Sequence, residues 1–209
     1  DMWQALADQI EQADADPGVR VIVIQGDGDQ AFVSGADIST FESQRTNPDD
    51  QRLFSEALEA AYSAPGLASK PVIAKIRGIC FGGGLGLAAA CDLRVASDDA
   101  RFRMPAARLG LGYGTQGVAR FISVIGMAHT LDIFMTARIF GAAEALKMGL
   151  LREVVPAEQL DHQVDELAAS IAENAPLTIA ALKRSVRALS VAQVQQIAER
   201  PEMLEALRR

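Results

Sequence analysis

Residues 70–97 read KPVIAKIRGICFGGGLGLAAACDLRVAS, and no carboxylate occurs between Glu59 and Asp92. The β-branched run at 70–78 predicts a strand buried on both faces. It leads through Gly82–Gly84 into an Ala-rich stretch ending at Cys91 that is apolar on every side. A helix of that kind must be enclosed by the rest of the chain. DLRVAS at 92–97 then reads as a further strand. Strand, buried helix and strand in this order point to an α/β fold with parallel pairing and right-handed crossovers.

The flanking sequence extends the pattern. Residues 2–14 place Met2, Leu6 and Ile10 on one helical face, PGVR at 17–20 is a turn, and VIVIQG at 21–26 predicts another strand buried on both faces. DGDQAFVSGADI at 27–38 reads as a loop, followed by a polar stretch through Arg52 with little to bury. Helices are expected at 53–64, 116–125, 127–136, Ala142–Met148, 156–173 and 176–189, with a tail from Val191 interrupted at Pro201. ARFRM at 100–104 and GLLREVV at 149–155 supply the remaining strand-like pieces.

With 209 residues the chain suffices for one domain with a substantial core. The reading divides it into a core at 1–155 and a helical region at 156–209, whose few helices need another surface to pack on. A formal charge of −7 disfavours non-specific binding to nucleic acid or anionic membranes. No uninterrupted apolar run approaches the roughly 20 residues of a bilayer span. Cys80 and Cys91 lack metal-ligand spacing and read as reduced core thiols, so a cytoplasmic protein is expected. The chain opens on Asp1, and the expectation is that the natural N-terminus lies upstream.

Two loops carry the chemistry. SGADI at 34–38 and FGGGLG at 81–86 are each read as following a buried strand, where α/β sheets form ligand crevices. Glycine lets a ligand approach the peptide N–H, and Gly83 is expected at the start of the buried helix, whose free N–H groups favour negative charge. One donor from each loop could hold an oxygen that becomes anionic. A triple glycine is equally compatible with a plain strand-to-helix turn. The pattern is neither a Walker loop nor GxGxxG.

Five segments together resemble the crotonase (enoyl-CoA hydratase/isomerase) superfamily: AFVSGADI at 31–38, residues 70–97, ARFRMPAARLGLGYG at 100–114, FMTARIFGAAEALKMGLLREVVP at 134–156 and APLTIAALKRSVRAL at 175–189. The resemblance implies a spiral of ββα units with a C-terminal helical trimerisation region. It implies an acyl-CoA thioester as substrate, a homotrimer or a hexamer of two trimers, and no metal or cofactor beyond the coenzyme A of the substrate. The family's two oxyanion donors map onto the N–H groups of Ala36 and Gly83. Ser34, Ala36, Ile38, Gly82 and Gly83 fall where the family contacts CoA. The family's N-terminal strands, which carry part of the CoA pocket, precede the matched region.

The departures matter as much. The two glutamates that handle water in the family's hydratases correspond to Gly86 and Ala106, neither of which transfers a proton. General acid–base catalysis contributes about 10²–10⁴ in rate, so ordinary hydration should be crippled. Three readings stay open. One is a reaction that uses the oxyanion hole without carboxylates, such as decarboxylation: loss of CO₂ makes the enolate directly. Tyr113 then stands where the methylmalonyl-CoA decarboxylase branch, which LGLGYG at 109–114 resembles, carries a tyrosine. That branch has His at the position of Ala36, and Tyr113 is equally placed to be a packing residue. The second reading gives the proton work to other groups. Asp37 more often supports the loop, Glu144 reads as structural, and His129 and His162 fall on solvated helix faces. The third is a protein that binds CoA esters without turnover. Arg101, Arg103, Arg108 and Arg120 make the acid-free stretch after Asp99 basic and could meet CoA phosphates, a substrate carboxylate or acids across a subunit boundary.

Overall fold

The computed structural model describes residues 2–35 and 48–198, with side chains described at 2–35 and 52–189. Eight short strands form two four-stranded sheets. The first contains β1 (Ile22–Ile24), β3 (Val72–Ile76), β5 (Leu93–Ser97) and β8 (Glu153–Val155) in that order, all parallel. The second contains β2 (Ala31–Val33), β4 (Ile79–Phe81), β6 (Arg101–Arg103) and β7 (Ile139–Gly141). Its first three strands are parallel and β7 runs antiparallel. The chain alternates between sheets: β1 then β2, β3 then β4, β5 then β6. Helices close the successive turns, giving the spiral of ββα units.

Helix α1 (Met2–Ala15) precedes β1, and α2 (Pro48–Leu67) follows β2. The next helix, α3 (Gly83–Ala90), follows β4; a 3-10 turn (Ala106–Leu109) and α4 (Thr115–Thr136) follow β6. Beyond them come α5 (Ala142–Lys147), α6 (Leu160–Ala172) and α7 (Pro176–Ala198). Alternation along β3 and β5 separates two cores. Val72, Ala74, Ile76 and Ala96 face inward with Phe32, Cys80, Phe102 and Phe140 of the second sheet. Ile73 and Val95 face the other way and pack under Leu160 and Val164 of α6.

Several expectations change. The stretch 27–38 is not all loop, because Ala31–Val33 forms β2. Strands β4 and β7 were not expected; each is three residues long. Residues 48–52, read as part of a loop, already belong to α2. Val23 is 37% exposed, so β1 is an edge strand buried on one face only. Met2 is 69% exposed, and Trp3 takes the buried place instead. Helix α7 continues through Ala198 without the break expected after Leu189, and Pro201 lies outside the described residues. By contrast, α4 is two helical segments, as expected, because Gly126 adopts φ 76°, ψ 165° between them. Counted end to end, its 22 residues have the length and composition of a membrane span. Gly126 breaks it, and Phe121, Ile125 and Ile133 bury one side of it against the core.

Helix α3 is the fixed point of the site. All its residues from Gly84 to Ala89 are buried. Its C-terminal end is tied down by Arg94, which donates to the carbonyls of Ala88 (3.2 Å), Cys91 (2.5 Å) and Leu150 (2.5 Å). A cation at that end satisfies orphan carbonyls and complements the helix dipole. Lys183 of α7 is anchored nearby by Asp92 (2.5 Å) and the carbonyls of Pro65 and Lys70.

Candidate functional site

Parallel pairing of β2, β4 and β6 brings their C-terminal ends side by side. Each end opens into one of the segments singled out in the sequence. Ser34 and Gly35 follow β2, Gly82 and Gly83 follow β4, and Pro105 and Ala106 follow β6. Gly82 sits at the centre. A Cβ there would be 3.7 Å from the Pro105 ring and 4.0 Å from Gly35 Cα. Its φ of 52° and ψ of −113° make the turn into α3. The glycines at 35 and 82 both have positive φ, which L side chains rarely adopt.

Gly83 is the first residue of α3, and its N–H finds no backbone acceptor among the described residues. It is one of the orphan donors of a helix start. The N–H of Gly82 is different: it donates to the Arg103 carbonyl at 2.9 Å. Gly82 therefore shapes the turn, with its N–H engaged inside the protein. Ser34 is exposed at the end of β2. Ala36, Asp37 and Ile38 lie outside the described residues.

Gly86 and Ala106 are both buried. Ala106 presents only a methyl group in the 3-10 turn. At Gly86 the surrounding space is already taken. A Cβ there would be 2.7 Å from Tyr113 Oη, 2.8 Å from Tyr62 Cζ and 2.9 Å from Tyr62 Oη. One turn earlier, a Cβ on Gly83 would be 2.9 Å from the Trp3 indole and 3.2 Å from Tyr62 Oη. Two phenols thus lie along the face of α3 that leads away from Gly83.

Their rings are held firmly. Tyr113 packs edge-on to Phe134 (5.0 Å between centroids) and Phe121 (6.1 Å) and lies over Gly117. Tyr62 stands edge-on to Trp3 at 5.9 Å. Aromatic pairs of this geometry contribute about 0.5–1.5 kcal/mol beyond area burial. Both hydroxyls face the point where a Cβ on Gly86 would lie. Burial pushes the Tyr62 phenol well above its ordinary range. Tyr113 is also raised by burial, with the Arg120 charge pulling against it. Arg120, half-buried on α4, is lowered by burial, while both phenols favour its charge. No ion pair to Arg120 occurs among the described residues.

The other candidates fall elsewhere. Glu144 is engaged by Arg138, which also pairs with Asp132. His129 and His162 are exposed. Arg101 and Arg108 are exposed, and Arg103 donates to the Ala137 carbonyl at 2.8 Å. Cys80 and Cys91 are free, buried thiols; burial pushes Cys91 up to about 12. A polar groove of about 370 Å³ lies at the ends of β1 and β3 on the other sheet, and its Lys75 and Arg77 are paired with Asp161.

Trp3, Tyr62 and Arg120 complete the site. Tyr62 went unnoticed in the sequence because it sits inside a predicted helix, where an aromatic residue reads as packing. The available signal was composition: it is one of only two tyrosines in the chain.

This geometry has relatives. A family described as enoyl-CoA hydratase/isomerase matches residues 1–208. A short-chain-enoyl-CoA hydratase from Clostridium acetobutylicum is 34% identical over 177 residues, covering 85% of this chain and 67% of that protein. A carnitinyl-CoA dehydratase from Proteus mirabilis is 37% identical over 189 residues, covering 87% and 68%. The chain thus spans about two thirds of the length of these curated relatives. Among solved structures, an enoyl-CoA hydratase/isomerase family protein from Hyphomonas neptunium superposes with a TM-score of 0.87 at 36% identity, covering 98% of this chain and 77% of that one. The sequence and the ββα spiral agree, and the chain belongs to the enoyl-CoA hydratase/isomerase family.

Proposed function

We propose that this protein binds acyl-CoA thioesters and stabilises the thioester enolate with two main-chain donors, the N–H groups of Gly83 and Ala36. The observation that carries the reading is the meeting of three strand ends at Gly82, which leaves the Gly83 N–H as an orphan donor at the start of a buried helix. A thioester carbonyl acidifies its α-carbon, and reactions there pass through an enolate. Donors fixed before the charge develops lower that barrier; one such donor is worth about 10²–10³ in rate. Coenzyme A enters as part of the substrate.

Efficient hydration of an enoyl-CoA is not expected. It needs a proton carrier over the α- and β-carbons, and residues 86 and 106 supply none. Related proteins named as a hydratase and a dehydratase are 34% and 37% identical to this chain over the aligned residues. The polar groups facing residue 86 here are the phenols of Tyr113 and Tyr62.

A second reading is favoured by that phenol: decarboxylation of a malonyl- or methylmalonyl-type thioester. The bond between Cα and the carboxylate breaks, its electron pair forms the enolate, and CO₂ leaves. No base is needed, and only a proton must then reach Cα.

The experiment compares crotonyl-CoA hydration with CO₂ release from malonyl- and methylmalonyl-CoA, alongside calorimetric binding of butyryl-CoA. Binding with weak or absent hydration supports the reading, and CO₂ release selects the second. Binding with no chemistry on a broad thioester panel identifies a non-catalytic CoA-ester protein. Absence of thioester binding refutes the proposal.

A further inference from the structure

We propose that Trp3, Tyr62 and Tyr113 form the end wall of the acyl pocket and limit this protein to thioesters whose acyl group is no longer than butyryl. This rests on the thioester reading above and narrows its substrate class.

The basis is steric. In that reading the thioester carbonyl sits at the Gly83 N–H, and its α- and β-carbons pass residues 86 and 106. A longer chain would continue along α3. Gly83 and Gly86 lie on one side of that helix, three residues and about 4.5 Å of rise apart. Neither has a side chain, yet the space beside both is full. A Cβ on Gly83 would be 2.9 Å and 3.1 Å from the Trp3 indole and 3.2 Å from Tyr62 Oη. A Cβ on Gly86 would be 2.7 Å from Tyr113 Oη, 2.8 Å from Tyr62 Cζ and 2.9 Å from Tyr62 Oη. Non-bonded carbon atoms need about 3.5–4.0 Å. Where a single methyl group does not fit between ring and helix, a methylene chain does not either.

The wall is built from three separate segments: Trp3 from α1, Tyr62 from α2, and Tyr113 from the stretch before α4. Each ring is backed by others. Trp3 is buried and stands edge-on to Tyr62 at 5.9 Å. Tyr113 lies over Gly117, where a Cβ would overlap its ring. Phe121 and Phe134, edge-on to each other at 5.3 Å, support it from α4. The side facing α3 is also polar, because both phenol oxygens reach the point beside Gly86. Covering those hydroxyls with methylenes would strip their water and return no hydrogen bond. Shape and polarity therefore act in the same direction against a long alkyl tail.

The test measures dissociation constants of acetyl-, butyryl-, hexanoyl- and octanoyl-CoA for the full chain by calorimetry. Affinity is expected to rise from acetyl to butyryl and to fall about 10-fold or more at hexanoyl. Tyr62→Ala removes the ring that touches both glycines and should improve hexanoyl-CoA about 10-fold relative to butyryl-CoA. Tyr62→Val should move the same ratio in the same direction while leaving a smaller cavity, and thermal melting checks that each variant is folded. A wild type that binds hexanoyl- and octanoyl-CoA as tightly as butyryl-CoA overturns the inference and leaves the thioester reading standing. So do folded variants whose hexanoyl-to-butyryl ratio matches the wild type. If truncation unfolds the chain, the wild-type series decides by itself. A wild type that binds none of the four thioesters removes both.

Discussion

Replacing Gly86 by Ala measures how firmly the two phenols fill the site. Helix propensity alone favours the change by about 1 kcal/mol, since glycine is costly inside a helix. Packing opposes it. The new methyl would meet Tyr113 Oη at 2.7 Å and Tyr62 Cζ at 2.8 Å, closer than carbon contacts allow. Neither ring can swing away freely, because Tyr113 lies between Phe121 and Phe134 and Tyr62 against Trp3. Overpacking of this kind costs about 1–3 kcal/mol. The expected net result is a loss of about 1 kcal/mol in urea unfolding at constant m-value. A sharper readout is the double-mutant cycle with Tyr113→Phe, which removes the nearest atom. Tyr113→Phe should cost less in the Gly86→Ala background, with a coupling of about 0.5–2 kcal/mol. Additivity within about 0.5 kcal/mol would refute the account of a space occupied by phenols.

The same geometry predicts that Gly86→Glu with Ala106→Glu does not restore crotonyl-CoA hydration, because the phenols stand where the first carboxylate must go; hydration at the rate of an ordinary hydratase would contradict this. Arg94→Met removes two hydrogen bonds to carbonyls at the end of α3 and a third to the Leu150 carbonyl, and should destabilise the protein by about 2–4 kcal/mol in urea unfolding, whereas a loss below about 0.5 kcal/mol would show the cap to be dispensable. Asp132 and Glu144 are held below the ordinary carboxylate range by hydrogen bonds from Arg138, and Asp161 by Lys75. Their stabilisation is present above about pH 4 and is lost as pH falls through the lowered values. Arg138→Gln should therefore flatten the acid limb of the melting temperature between about pH 4 and 2, and an unchanged limb would contradict the assignment.

Much of the fold was legible because burial writes itself into apolar runs. Residues 70–97 gave strand, buried helix and strand in their correct places, since a helix apolar on every side has one possible environment. Gly126 marked the break in α4. The second sheet was harder to read. Its strands β2, β4 and β7 have three residues each, too few for a periodic pattern, and tertiary pairing rather than propensity defines them. At the site, Gly83 was readable from the glycine run before an apolar helix. The engagement of the Gly82 N–H was not readable, because its partner Arg103 is 21 residues away and only the sheet reveals that register. Tyr62 was hidden for a similar reason: its approach to Tyr113 is a long-range contact between α2 and the segment that precedes α4.

The central claim concerns a thioester carbonyl held by main-chain N–H groups at residues 83 and 36. Infrared spectroscopy of butyryl-CoA labelled with ¹³C at the thioester carbonyl reports that polarisation directly. The account predicts a shift of the bound carbonyl stretch to lower frequency than in water. A bound thioester whose carbonyl absorbs where it does in free solution would contradict it.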